Sequence, residues 1–407
     1  MRKALPALLG SMLLLLACGG GSGDTTASTG HASSASSGAA SGSGSGGGGG
    51  GSPAPAWLSD AKILVSGETT NNDDCRTGIC RHNENTDLTT FQGAIFLVHR
   101  TAESQVLGPN SSLHVQRSDD GGKTFTQTAV IAAPVDRDIR DPHFYTVGGK
   151  LFIKTLARLP VDSTRDSNVD TIAMGTSSAD GVTWSDLAAI GPETWSFWRI
   201  KEQGGTYYSA AYEDGDKSVS LFSSTDGSTW TKGASVYAVS ADTPLETELT
   251  FMPSGKLMAL VRMDGSDDEL LGSVGRLRTN VCWADPPYAA FSCPQTIMGE
   301  RLDGPLSFFH GSRLFVVARR HLGEDARKRT SLFEITGTLE GGPIDVKEWG
   351  DLPSAGDTSY AGVATIDAQR SLLSWYSGDV SLDEGWGLAM FHPTDIWQGT
   401  LDFSKLE

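Results

Sequence analysis

The octet Ser118-Asp119-Asp120-Gly121-Gly122-Lys123-Thr124-Phe125 recurs, one residue shorter, as Ser178-Ala179-Asp180-Gly181-Val182-Thr183-Trp184 and as Ser224-Thr225-Asp226-Gly227-Ser228-Thr229-Trp230. Each has the chemistry of a hairpin turn. The Asp carboxylate can accept backbone N–H bonds, Gly can take a positive φ, and the closing aromatic can pack between sheets. Short apolar runs such as Ala94–Val98, Leu151–Lys154 and Leu314–Val317 alternate with Gly, Asp, Asn and Pro clusters, with no long stretch of helical period. Closely spaced strands and turns predict an all-β barrel, sandwich or propeller. Repetition decides for a propeller, with one octet per blade. The octets mark turns on the rim and carry no chemistry.

Working outward, several strands end in arginine: Phe96 through Arg100, Leu257 through Arg262, Leu314 through Arg319. In a propeller the inner strands converge on one axis, so comparable positions in different blades meet at a shared mouth. Arginines delivered there would form a cationic ring suited to an anionic ligand. Arg320, next to Arg319, must face the other side of its strand.

The three octets resemble the Asp-box repeats of the sialidase superfamily, whose fold is a six-bladed β-propeller. The likeness extends along the folded region: Glu246 followed by Phe251-Met252-Pro253-Ser254-Gly255 and Arg262, Asp303-Gly304-Pro305 leading to Arg319, and Asp357-Thr358-Ser359-Tyr360-Ala361-Gly362. Asp138-Ile139-Arg140-Asp141-Pro142 and Trp195-Ser196-Phe197-Trp198-Arg199 look like a divergent sialidase-like bacterial branch. The resemblance implies an exo-α-sialidase-like glycoside hydrolase that removes terminal acidic sugars, sialic acid by default. Tyr360 would be the nucleophile of a retaining mechanism and Glu246 its base. A neutral tyrosine suits an anomeric centre that carries a carboxylate, where an anionic nucleophile would be repelled. Arg262 and Arg319 would clamp that carboxylate with a third arginine, Arg81 or Arg100, and Arg140 and Arg199 are further substrate-binding candidates. Glu248 could be a solvated edge residue beside Glu246.

The sequence departs from the family at its first blade. Where sialidases have arginine followed by Ile-Pro, this chain reads Thr86-Asp87-Leu88, and the Thr101–Gln116 loop holds no aspartate. Asp87 or Asp141 is left as the general acid. The alternative reading is a non-catalytic propeller that binds glycan or protein. No metal or organic cofactor is required.

The ends of the sequence set the expected compartment. Arg2 and Lys3 precede an apolar run, Ala4 to Leu16, too short to span a bilayer, which reads as a signal peptide over 1–17. Leu15-Leu16-Ala17-Cys18 resembles a bacterial lipobox, which implies acylation of Cys18 and a membrane anchor. Residues 18–53 are nearly all Gly, Ser, Ala and Thr, a tether with an r.m.s. reach of about 30–35 Å. The expected protein is thus exported and anchored to the envelope, with Gly19 favouring the outer membrane or cell surface. Residues 54–407 form the propeller, expected as a monomer.

A net charge of −17 with no basic cluster excludes nucleic acid as a partner. Beyond Cys18, four cysteines remain, an even number that suggests disulfides in an exported chain. Of three possible pairings we favour the local ones, Cys75–Cys80 and Cys282–Cys293; their spacing fits no zinc pattern.

Overall fold

The computed structural model describes residues 54–68, 74–105, 108–159, 171–213, 217–238, 242–264, 277–323 and 326–406. The leader, Cys18 and the tether lie outside the described residues.

The first strand, β1 (Leu58–Val65), belongs to the last blade. Blade one is β2 (His82–Phe91), β3 (Ala94–Ala102), β4 (Ser112–Ser118) and β5 (Thr126–Ala132). Blade two is β6 (Asp138–Val147), β7 (Lys150–Arg158), β8 (Thr171–Ser178) and β9 (Ala188–Glu193). Blade three follows with β10 (Trp195–Gln203), β11 (Thr206–Glu213), β12 (Ser218–Ser224) and β13 (Thr231–Tyr237). Blade four is β14 (Thr243–Phe251), β15 (Leu257–Asp264), β16 (Arg278–Ala284) and β17 (Ser292–Met298). Blade five is β18 (Asp303–His310), β19 (Arg313–Leu322), β20 (Arg327–Gly337) and β21 (Ile344–Asp351). Blade six joins β22 (Thr358–Thr365), β23 (Arg370–Ser377) and β24 (Asp395–Asp402) to β1 as its outer strand. The six antiparallel four-stranded sheets make the predicted six-bladed propeller, and one sheet built from both ends of the folded region closes the ring.

Apolar side chains between neighbouring blades hold the ring. Phe96, Val98 and Leu113 of blade one meet Ile139, Phe144 and Ile153 of blade two, and Phe315 and Val317 of blade five meet Leu373 and Trp375 of blade six. The three octets connect the third and fourth strands of blades one to three. In the first, Asp120 Oδ1 accepts the Lys123 and Thr124 amides at 3.0 Å each, and the other two turns repeat the pattern at Asp180 and Asp226. Gly181 needs its identity twice: its φ is 74°, and a Cβ would stand 2.4 Å from the Phe96 ring of the preceding blade. The two favoured disulfides, Cys75–Cys80 and Cys282–Cys293, are formed.

One device recurs in all six inner strands. Near its start, each pairs irregularly with its neighbour: at Glu84/Thr86, Arg140/His143, Phe197/Ile200, Pro244/Thr247, Asp303/Leu306 and Ser359/Gly362. Such bulges re-aim side chains. The residues extruded include Asn85, Asp141, Trp198 with Arg199, Glu246, Gly304 and Tyr360. Four of them, Asn85, Asp141, Gly304 and Tyr360, hold left-handed backbone at φ 48–57°. All six bulges lie at the end of the ring opposite the three octets, because an inner strand begins where the third strand of its blade begins.

Candidate active site

The bulges bring distant residues together. The Tyr360 hydroxyl, from blade six, donates a short hydrogen bond to Glu246 Oε1 of blade four. Glu246 Oε2 accepts from Arg262 Nη1 at 2.6 Å and from the Gly304 amide at 3.1 Å. The Arg319 guanidinium lies 5.3 Å from the centre of the Tyr360 ring. Glu246, Arg262, Arg319 and Tyr360 therefore share one cluster. Burial pushes the Tyr360 phenol well above its ordinary range and the Glu246 charge pushes it further, against Arg319 and Arg262. The tyrosine is neutral in this setting. A bulky residue in left-handed backbone is strained, a feature that collects at functional positions.

Both clustered arginines also pair with further groups of the protein. Arg262 pairs with Asp264 at 2.8 Å and Asp303 at 3.2 Å. Burial raises the Asp303 carboxyl, but Arg262, Arg301 and His321 together hold it well below the carboxylate range. Arg319 donates to the Thr358 carbonyl at 2.7 Å, to Asp357 at 3.0 Å and to the Tyr376 hydroxyl at 2.7 Å. Trp386, in the short helix α1 (Trp386–Ala389), donates to the same Asp357 carboxylate at 2.8 Å.

The two candidate acids differ sharply. Asp87 is engaged at both oxygens, accepting the Phe144 amide at 2.8 Å and Arg199 Nη1 at 2.8 Å. Asp141 sits on the blade-two bulge in the backbone class of Tyr360, and its carboxylate accepts no hydrogen bond among the described residues. Burial raises its pKa; Lys154 and Arg140 oppose this, and Glu246 adds to it. A raised carboxyl pKa is what a general acid requires; burial raises Asp87 too, so hydrogen bonding is what separates the two.

The remaining arginines do other work. Arg100 is wholly buried, with Asp138 at 2.9 Å and Glu84 at 2.9 Å, so its charge is consumed inside blades one and two. Arg140 binds Asp138 at 2.5 Å. Arg81 is exposed and makes no bond to the cluster among the described residues. Arg199 reaches across the ring to Asp87 and to the Ala361 carbonyl at 2.5 Å. Glu248 is no solvated edge residue: it is fully buried and accepts from Ser307 at 2.7 Å and Lys201 at 2.7 Å. With Trp198, whose indole N–H donates to the Pro305 carbonyl at 3.1 Å, these pairs link blades across the ring. Arg320 faces outward to Glu348 and Asp351, on the side opposite Arg319.

Sequence reasoning missed four residues here. Asn85 holds the blade-one bulge, just before Thr86-Asp87-Leu88. Lys154, Trp198 and Asp303 complete the surroundings of Asp141, the axis and Arg262. The Asn/Asp/Gly identities at three of the four left-handed positions were the available signal.

No protein-family model matches the sequence, and no curated protein matches it. Solved structures share the fold. A Dyadobacter fermentans protein of unknown function superposes with a TM-score of 0.60 at 16% identity, over 84% of this chain and 99% of that one. A single-residue variant of the NanB sialidase of Streptococcus pneumoniae gives 0.60 at 11%, over 84% and 71%. A Trypanosoma rangeli sialidase gives 0.61 at 14%, over 87% of this chain and 60% of that one. The architecture is that of a sialidase-like propeller.

Proposed function

We propose that this chain is an exo-glycosidase that removes terminal acidic sugars, sialic acids being the default class, with retention of configuration. The observation that carries the reading is the hydrogen bond from Tyr360 to Glu246, with two arginines at hand. The sugar carboxylate would lie against Arg262 and Arg319. The Tyr360 oxygen would attack the anomeric carbon while its proton passes to Glu246. The glycosidic C–O bond would break as Asp141 gives its proton to the leaving oxygen. Water, deprotonated by Asp141, would then attack the sugar–tyrosine ether, and Glu246 would return the proton to Tyr360. Two displacements at one carbon restore its configuration. The neutral phenol gains nucleophilic character only as Glu246 takes its proton, which spares the anionic sugar an anionic attacker.

The octets fit this reading as Asp boxes. In the same proposal the domain works at a membrane surface, held by acylated Cys18 and the tether.

The test is release of fluorophore from a panel of aryl α-sialosides and other acidic glycosides by wild type and Tyr360→Phe. Turnover by wild type and its loss in the variant are expected. Equal rates in the two proteins, or binding of glycans with no turnover on any substrate, would overturn the reading. The anchor is tested separately: Cys18→Ser should move the protein from the membrane to the soluble fraction.

A further inference from the structure

Lys154 is an unusual core residue. It projects from β7, fully buried, and its ammonium donates to the backbone carbonyl of Asp141 at 3.2 Å with the Trp198 ring centre 6.0 Å away. An ammonium carries three donors, and no second acceptor is found among the described residues. A buried cation so thinly bonded is costly, and an apolar side chain of similar volume would serve packing alone better. What the lysine adds is its location: it grips the residue whose carboxylate accepts no hydrogen bond among the described residues and whose backbone is left-handed at φ 51°.

We infer that Lys154 is the positioning residue of Asp141, fixing its bulged backbone through the carbonyl and supplying the leading positive charge that acts on its carboxyl. This rests on the reading of Asp141 as general acid. An acid of this kind must release and recover one proton per catalytic cycle, so burial without a nearby cation would hold the proton too firmly. The charged groups that act on Asp141 are Lys154 and Arg158 from β7, Arg140 from β6 and Glu246 from β14, and Tyr360 on β22 feels the Asp141 charge in turn. Those that act on Lys154 include Asp141, Arg199, Asp87 and Glu246, and His143 lies within its influence. Burial lowers the lysine to about 8, with Asp141 the leading opposing charge.

Lys154→Gln keeps a donor for the carbonyl and removes the charge; Lys154→Arg keeps the charge. In the full-length protein, the Asp141 carboxyl is titrated by carbon NMR after aspartate labelling, assigned with Asp141→Asn, and the pH dependence of kcat/KM is measured alongside. The Asp141 midpoint should rise in Lys154→Gln and return in Lys154→Arg. The alkaline limb of kcat/KM should follow it, with relative activity on the falling limb several-fold above wild type. An unmoved Asp141 midpoint in folded Lys154→Gln overturns the inference. A midpoint that moves while the alkaline limb does not supports the positioning role and overturns Asp141 as the acid.

Discussion

The Tyr360 ring packs on the α-carbon of Gly304 so closely that a Cβ there would stand 3.0–3.1 Å from three of its ring carbons. Gly304 also gives its amide to Glu246 and holds φ 57°. One residue without a side chain thus seats both partners of the Tyr360–Glu246 pair. Gly304→Ala should displace the ring and strain the backbone. We expect a stability loss of about 1–2 kcal/mol and a much larger proportional loss of kcat, measured by urea denaturation and turnover of the best aryl glycoside.

Asp87 and Asp141 should separate by experiment. Asp87→Ala strands the buried Arg199 cation, so folding stability should fall by about 3–5 kcal/mol. Asp141→Asn breaks no hydrogen bond and should stay near wild-type stability, while turnover falls more steeply for poor leaving groups than for activated aryl ones. Denaturation curves and a leaving-group series check both halves.

His99 offers a pH test. Burial, with a smaller effect of His114, lowers it from 6.5 to about 3, and it is wholly buried. Because the folded-state pKa is the lower one, the unfolded chain takes up the proton first as pH falls below 6.5. The stability this residue contributes is present above that value and drains away toward pH 3. Between pH 6 and 4, wild type should lose about 1.4 kcal/mol per pH unit more than His99→Gln, read from denaturation midpoints across pH. Parallel pH curves for the two proteins would rule this out.

The disulfide Cys282–Cys293 ties β16 to β17 at the outer edge of blade four. Replacing both cysteines with alanine should lower stability by about 2–3 kcal/mol and leave the catalytic pH profile unchanged, since neither touches the cluster.

Much of this architecture was legible before any coordinates. Ser118–Phe125 and its two relatives carry turn chemistry that is local, so sequence states it directly. The order Glu246, Arg262, Arg319, Tyr360 implied convergence because radial sheets bring the starts of inner strands and the ends of their neighbours together. The bulges were not legible. A period-two pattern says which face a residue occupies, yet an extra residue shifts that face without changing composition. Arg100 looked equivalent to Arg319 as a strand-ending arginine. Its guanidinium is instead spent on Glu84, its register partner in the same blade, and on Asp138 at the start of the next blade. Lys154 read as the tail of an apolar strand, because nothing adjacent in sequence reveals that it ends beneath Asp141.

Trp198, the Arg199–Asp87 pair and the Lys201–Glu248 pair tie blade three to blades five, one and four. Such ties couple sheets that do not adjoin, so a disturbance in blade three should be felt in blades one and five as well.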